Sequence, residues 1–193
     1  MQTEYFVIEA AASNAHPMLA WDEYLPGLGG PRPAKPLGRP VKMRLRKPVP
    51  RNPVMVDHHE LPDPVLSPRL KEVLEPLELH NVQFVLADVK VKPDDVRPYW
   101  LMHVYNWIAC IDRERSVLTF YDSGDVLGVR KLVLDEKVLQ EIPLERRRVF
   151  CPAETPATHV FHQSIVEKVL ALQPEGLRFI PVDRWSDSAA FQP

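Results

Sequence analysis

The chain has 193 residues, of which 45% are hydrophobic and 26% charged, with a formal net charge of −2. That length suits one ordinary domain spanning 1–193, and the composition excludes disorder throughout. The longest apolar run, Tyr99 to Ile111, is interrupted by His103 and Asn106 and is too short for a membrane span, and Met1-Gln2-Thr3-Glu4 lacks the basic-then-apolar pattern of a secretory leader.

Tyr5 to Ala10 (YFVIEA) is dominated by aromatic and β-branched residues and reads as a first strand. A polar stretch through Ser13-Asn14 follows, then Trp21 and Tyr24. From Pro26 to Pro53 the chain carries eight prolines. Proline removes an amide donor and fixes φ, so this arm (26–53) is expected as a long loop, either wrapped over the body or partly disordered. It is also basic. Arg32, Lys35, Arg39, Lys42, Arg44, Arg46, Lys47 and Arg51 lie between Tyr24 and Val56 with no acidic residue among them. The remainder then holds 16 basic against 26 acidic residues, a balance of −10. Within the arm, Val41 to Leu45 alternates apolar with basic, as a short edge strand would.

Ser67 to Leu77 is the clearest helix. Ser67 is a favourable N-cap, Pro68 suits the first helical position, and Leu66, Leu70, Val73, Leu74 and Leu77 share one face. Asn81 to Lys92 reads as a strand, Pro93-Asp94-Asp95 as a turn, and Tyr99 to Ile111 as a second long strand in the middle of the sheet. Val117 to Tyr121 and Val129 to Leu134 are strands around the turn at Asp122-Ser123-Gly124-Asp125, and Val149 to Cys151 is another. Ser164 to Leu172 is a second helix, with Ser164 and Glu167 as a capping box, and Leu177 to Val182 is a last strand. Strands joined without helical crossovers pair antiparallel. The expected fold class is therefore α+β: a mainly antiparallel sheet with about two helices packed on one face, plus the long Pro-rich loop.

Chemistry is harder to find. Gly27-Leu28-Gly29-Gly30 lacks the Lys-Ser/Thr that closes a phosphate loop and reads as a turn. Asp57-His58-His59 and the pair His159 and His162 are short of a metal set, because a third ligand has to come from the fold. There is no Gly-x-Ser-x-Gly or Ser-x-x-Lys pattern. Cys110 and Cys151 lie in apolar surroundings and read as free buried thiols of a reducing cytoplasm. Asp63, Asp88 and Lys90 make a partial metal-nuclease pattern, but Asp88 and Lys90 also alternate with Val89 and Val91 as on any strand with one wet face. The basic arm is the alternative with most substance, as a nucleic-acid contact, although it lacks interleaved aromatics and the rest of the chain is acidic. The residues thus give no catalytic centre, no metal site and no cofactor.

Several segments taken in order carry a resemblance: Val54-Met55-Val56-Asp57-His58-His59, Pro64-Val65-Leu66-Ser67, Val82-Gln83-Phe84, Tyr99 through Ile111-Asp112-Arg113-Glu114-Arg115-Ser116, and Gly176-Leu177-Arg178-Phe179. Over about residues 50–182 the chain resembles the bacterial immunity proteins of polymorphic toxin systems, of the "Imm-eleven" type. The resemblance implies a non-enzyme of the producing cell's cytoplasm, whose partner is a cognate toxin encoded nearby and not a membrane or a nucleic acid. An acidic body suits a basic toxin, since it steers association. Asp112, Glu114, Asp122 and Asp125 are the candidate partner-binding residues. Each also reads as a solvated turn carboxylate, and Asp112 also as a turn cap.

Overall fold

The computed structural model describes residues 2–23, 25 and 27–191; Tyr24 and Pro26, assigned above to the aromatic stretch and the proline arm, lie outside the described residues. The elements in chain order are β1 (Tyr5–Ala10), β2 (Leu19–Trp21), β3 (Val41–Leu45), β4 (His58–His59), β5 (Val65–Leu66), α1 (Pro68–Leu74), β6 (Val82–Lys92) and β7 (Asp95–Val104). After these come β8 (Trp107–Ile108), β9 (Val117–Phe120), β10 (Val126–Lys131), α2 (Glu136–Glu141), β11 (Val149–Pro152), β12 (Val160–His162), α3 (Gln163–Leu170) and β13 (Leu177–Pro181). The α+β class holds. The strands form a five-stranded sheet, β13-β1-β12-β11-β8, a six-stranded sheet, β2-β3-β6-β7-β5-β4, and a separate β9–β10 hairpin. Two pairings are parallel, β3 with β6 and β8 with β11; the others are antiparallel.

The two-residue period of the strands explains the layers. On β1, Tyr5 and Val7 enter one apolar cluster with Leu132, Leu139 and Trp185, while Ile8 enters another with Leu70, Met102, Phe161 and Val166. On β7, Met102 and Val104 face that second cluster, and Leu101 and Tyr99 face a third with Met43 and Val89. Both sheets are therefore buried on both faces. Helices α1 and α3 fill the space between them, and the hairpin with α2 covers the far side of the five-stranded sheet.

The far side of the six-stranded sheet is covered by Trp21 and Leu25 ahead of the proline arm, Leu28 within it and Met55 just after it. The arm is tied down by polar contacts that need no regular structure. Gln83 Oε1 accepts from Ala34 N–H (2.7 Å), and His103 takes Gly29 N–H at Nδ1 (3.3 Å) and meets Arg32 O through Nε2 (2.8 Å). Strand β3 is not an edge. It is paired on both sides, and Val41 and Met43 are fully buried, because β2 adds beyond it.

Three other expectations change. The Tyr99–Ile111 run is not one strand: β7 ends at Val104 and β8 joins the other sheet. Asn106 makes the break, since its Nδ2 donates to Arg146 O (2.7 Å) and Val149 O (2.8 Å), bonds that a strand residue in register would not reach. The Ser164–Glu167 capping box is absent. His162 is the N-cap and accepts Ser164 N–H at Nδ1 (3.2 Å), which requires the neutral ring, and burial accordingly lowers its pKa. Helix α2 was not expected; Asp135 caps it through Lys137 N–H (2.9 Å) and Val138 N–H (3.3 Å). At α1 the reading was correct, with Ser67 Oγ accepting from Leu70 N–H (3.3 Å) and Pro68 at the first position.

Candidate functional site

The four candidate carboxylates fall at the two ends of strand β9. The β9–β10 hairpin packs Leu118, Val126 and Val129 inward, on the cluster built by Tyr5 and Leu132. Its remaining side chains stand in solvent. Phe120 and Tyr121 are 48% and 56% exposed, and among the described residues they are the only aromatic side chains in the set of large exposed hydrophobics. Val117 and Leu127 of the same hairpin are also exposed. The turn is closed by Tyr121 N–H to Asp125 O and Gly124 N–H to Tyr121 O, both 2.9 Å. Asp122 and Asp125 sit on this turn, and Asp125 Oδ2 accepts from Ser123 Oγ (2.8 Å).

At the other end of β9 the carboxylates differ. Asp112 Oδ1 caps the turn by accepting Glu114 N–H (3.1 Å) and Arg115 N–H (3.0 Å), while Oδ2 accepts Arg115 Nε–H (2.6 Å). The Arg115 guanidinium and these amides hold its carboxyl below the usual range. Ser116 Oγ bonds both Val133 N–H (3.0 Å) and Val133 O (3.2 Å). Asp112 and Ser116 thus work locally, fixing where the hairpin leaves the body. Glu114 is exposed beside them.

A cavity of about 220 Å³ opens near the base of the same hairpin, between β1, the 60–64 loop and the 3-10 turn Asp187–Phe191. Glu9, Glu60, Asp63 and Asp187 line it, with His159 and no lysine or arginine. Glu9 reaches it because it shares the β1 face of Tyr5 and Val7. A carboxylate in period with the buried side chains of β1 is visible in the sequence, where of these four acidic residues only Asp63 belongs to a recognisable chemical pattern. Glu9 is 5% exposed; its Oε1 accepts Trp185 Nε1–H (2.5 Å), and no donor among the described residues reaches Oε2. Glu60 Oε2 takes Ala10 N–H (3.0 Å), and Asp187 Oδ2 takes Val129 N–H (2.6 Å), which joins the cavity to β10. Burial first, and then the neighbouring Glu60, push Glu9 up to about 7 against the pull of Trp185 and Arg178; burial pushes Asp63 up to about 6.

A raised carboxyl pKa stabilises the fold at low pH and loses that contribution as pH rises, here from about 4.5 to about 7 for Glu9. His58, His59 and His159 act with the opposite sign. Burial lowers them to about 3, 4 and 4, so stability is lost as pH falls below about 6.5. Glu9→Gln keeps an acceptor for Trp185 and has no charge to desolvate. Its urea-unfolding free energy should exceed that of the parent by about 2 kcal/mol at pH 8 and match it at pH 4. A variant less stable at pH 8 would refute this.

The other sequence candidates do not assemble. His58 is 1% exposed, and His59 Nδ1 meets Pro17 O at 2.8 Å. Among the described residues no three His, Cys, Asp or Glu side chains are placed to hold a metal ion. Asp63 lines the cavity, whereas Asp88 stands opposite Lys42 in the register of β6 with β3, and neither Asp88 nor Lys90 lines that cavity. Cys110 and Cys151 are free and buried, and burial pushes both thiols up. Two arginines of the basic arm are already neutralised, Arg39 by Glu23 (2.6 Å) and Arg44 by Asp22 (2.9 Å). No helix among the described residues is long and apolar enough to cross a membrane.

The resembling segments, separate in sequence, converge in space. Asp57, between β3 and β4, takes Ser67 Oγ–H on Oδ1 (2.6 Å) and Glu175 N–H on Oδ2 (2.9 Å), beside Gly176. A Cβ on Gly176 would stand 2.3 Å from Val56 Cγ2. No curated protein matches the chain. The model of the Immunity protein family (Imm11) matches residues 14–184, which takes in the six-stranded sheet, the hairpin, every strand of the five-stranded sheet except β1, and these converging segments, and the chain belongs to that family.

Proposed function

We propose that the protein binds and neutralises a cognate bacterial toxin, without a reaction of its own, in the cytoplasm of the cell that makes the toxin. Family membership over residues 14–184 is the observation that carries this reading. The surface we assign to the contact is the hairpin tip, where Phe120, Tyr121 and Leu127 stand exposed around Asp122 and Asp125. Aromatic side chains give large contact area for little rotamer entropy, and exposed apolar groups gathered on one projection mark an interaction surface more than scattered ones do. The carboxylates there have no basic residue between Phe120 and Leu127 to offset them, which suits a basic partner. Glu114 and Asp112 border this surface from the other end of β9, and Asp112 contributes by fixing the turn.

Co-expression with the toxin domain encoded beside the gene should restore growth of a sensitive host. Phe120→Ala with Tyr121→Ala should weaken toxin affinity at least tenfold, the usual scale for truncating a buried aromatic anchor, while leaving the unfolding midpoint unchanged. Growth arrest with every neighbouring toxin candidate would remove the neutralising role. Full affinity in the double variant would move the contact elsewhere.

A further inference from the structure

We propose that the open edge of β9 pairs with the same edge of a second copy of this chain, antiparallel, about a twofold axis between the two Thr119 residues. The two edges of the hairpin differ. On β10, Val129 N–H points away from β9 and is taken by Asp187 Oδ2 (2.6 Å), so the 3-10 turn Asp187–Phe191 lies against that side. Among the described residues no element pairs with β9 on its other side. Leu118 stands opposite Val129 and Phe120 opposite Val126, while Tyr121 N–H bonds Asp125 O (2.9 Å) across the hairpin. Amides alternate sides along a strand, so Val117, Thr119 and Tyr121 direct theirs to β10, and Leu118 and Phe120 direct theirs outward. Val117, Thr119, Phe120 and Tyr121 are exposed along this edge.

Proline and charged side chains, lysine above all, guard an edge strand against pairing with another chain. From Ser116 to Tyr121 this edge has neither, whereas β10 carries Arg130 and Lys131. A second copy fits because the segment is complementary to itself. With Thr119 opposite Thr119, Leu118 of each copy meets Phe120 of the other, and each such pair exchanges both backbone bonds through the outward amides. The opposite face then has Thr–Thr at its centre and a Val117–Tyr121 pair on either side. Thr–Thr and aromatic–β-branched pairs are among the favourable cross-strand neighbours. Charge favours the same arrangement. The turn carries Asp122 and Asp125, and the approach to β9 alternates Asp112, Arg113, Glu114 and Arg115, which cancel. Antiparallel pairing sets each acidic turn beside the two exposed arginines of the other copy, and parallel pairing would gather four carboxylates at one end. The edge is four residues long, so the association is small and reversible. It covers Phe120 and Tyr121, so a second copy and the toxin contact proposed above exclude each other; the pairing itself does not rest on the neutralising role.

The test is sedimentation equilibrium of the whole chain over a concentration series, together with cross-linking. The parent's mass should rise with concentration from 22.2 kDa toward twice that value. Directly opposed residues of a non-hydrogen-bonded pair have Cα atoms about 4.5 Å apart, within reach of a disulfide. Thr119→Cys should therefore give a disulfide-linked dimer on mild oxidation. Leu127→Cys, exposed on the other strand, should not, nor should the parent, whose Cys110 and Cys151 are buried. Thr119→Lys places like charges opposite each other and should weaken association at least tenfold, with the melting curve of the dilute monomer retained. Val117→Lys takes its place if Thr119→Lys fails to fold. A parent that stays at 22.2 kDa throughout, no cross-link at position 119, or undiminished association in the folded lysine variant would overturn the pairing. Association with failed growth rescue would keep the pairing and remove the neutralising role. Rescue by a chain that is monomeric at every concentration would do the reverse.

Discussion

Gly176→Ala should lower the unfolding free energy by about 4 kcal/mol, the largest effect expected from a methyl group anywhere in the described chain. Two costs coincide. Gly176 has φ +83°, in the left-handed region where an L side chain costs about 1–2 kcal/mol. The new Cβ would also lie 2.3 Å from Val56 Cγ2, 2.6 Å from Val56 Cβ and 3.0 Å from His58 O. The last of these is backbone and cannot rotate away, and forcing atoms into a packed core costs about 1–3 kcal/mol more. Gly124→Ala is the control. Its φ is +89°, but nothing lies within 4 Å of the added Cβ, so about 1–2 kcal/mol should be lost. Equal losses for the two variants in urea denaturation would show that Gly176 is required for its backbone angle and not for closeness to Val56.

Asp57→Ala should cost about 3 kcal/mol, and Asp57→Asn about half as much. The side chain is buried and joins three parts of the fold. Oδ1 accepts the Ser67 hydroxyl that caps α1, and Oδ2 accepts Glu175 N–H ahead of β13 and the Arg69 guanidinium (3.2 Å). Its backbone repeats the connection, with Asp57 N–H to Glu175 O (3.0 Å) and Ser67 N–H to Asp57 O (2.8 Å). Alanine leaves Glu175 N–H and the Ser67 hydroxyl without acceptors, while asparagine retains one carbonyl oxygen for them. Arg69 is half exposed and finds water, which places the loss at the lower end for a broken buried pair. A loss below 1 kcal/mol for Asp57→Ala, measured by chemical denaturation, would show that the backbone bonds suffice.

These two positions explain what the family resemblance was made of. Val56, Asp57, Ser67 and Gly176 belong to three of its segments, and they meet where α1, β4 and the start of β13 come together. Asp112 and Ser116, from its most distinctive segment, fix the base of the hairpin. Gln83, from another, holds the proline arm through Ala34. The segments that identify the family therefore maintain the scaffold, whereas the exposed Phe120 and Tyr121 lie outside them.

Residues that act on their neighbours in sequence were legible before any coordinates. Ser67 and Pro68 start α1, the period-two pattern defines β1 and β3 with their observed limits, and Asp122 to Asp125 turn the hairpin. Each depends on bonds or side-chain spacing within a few residues, so local order along the chain is enough to read them, together with the α+β class and the family. Other features depended on partners far along the chain. Asn106 splits an apolar run between two sheets by reaching Arg146 and Val149, and β3 becomes internal because β2 and β6 arrive on either side. Glu9, Glu60, Asp63 and Asp187 share a cavity although up to 178 positions separate them in the chain. Long-range packing fixes these, because period and propensity state which face a residue occupies and are silent on what that face will meet.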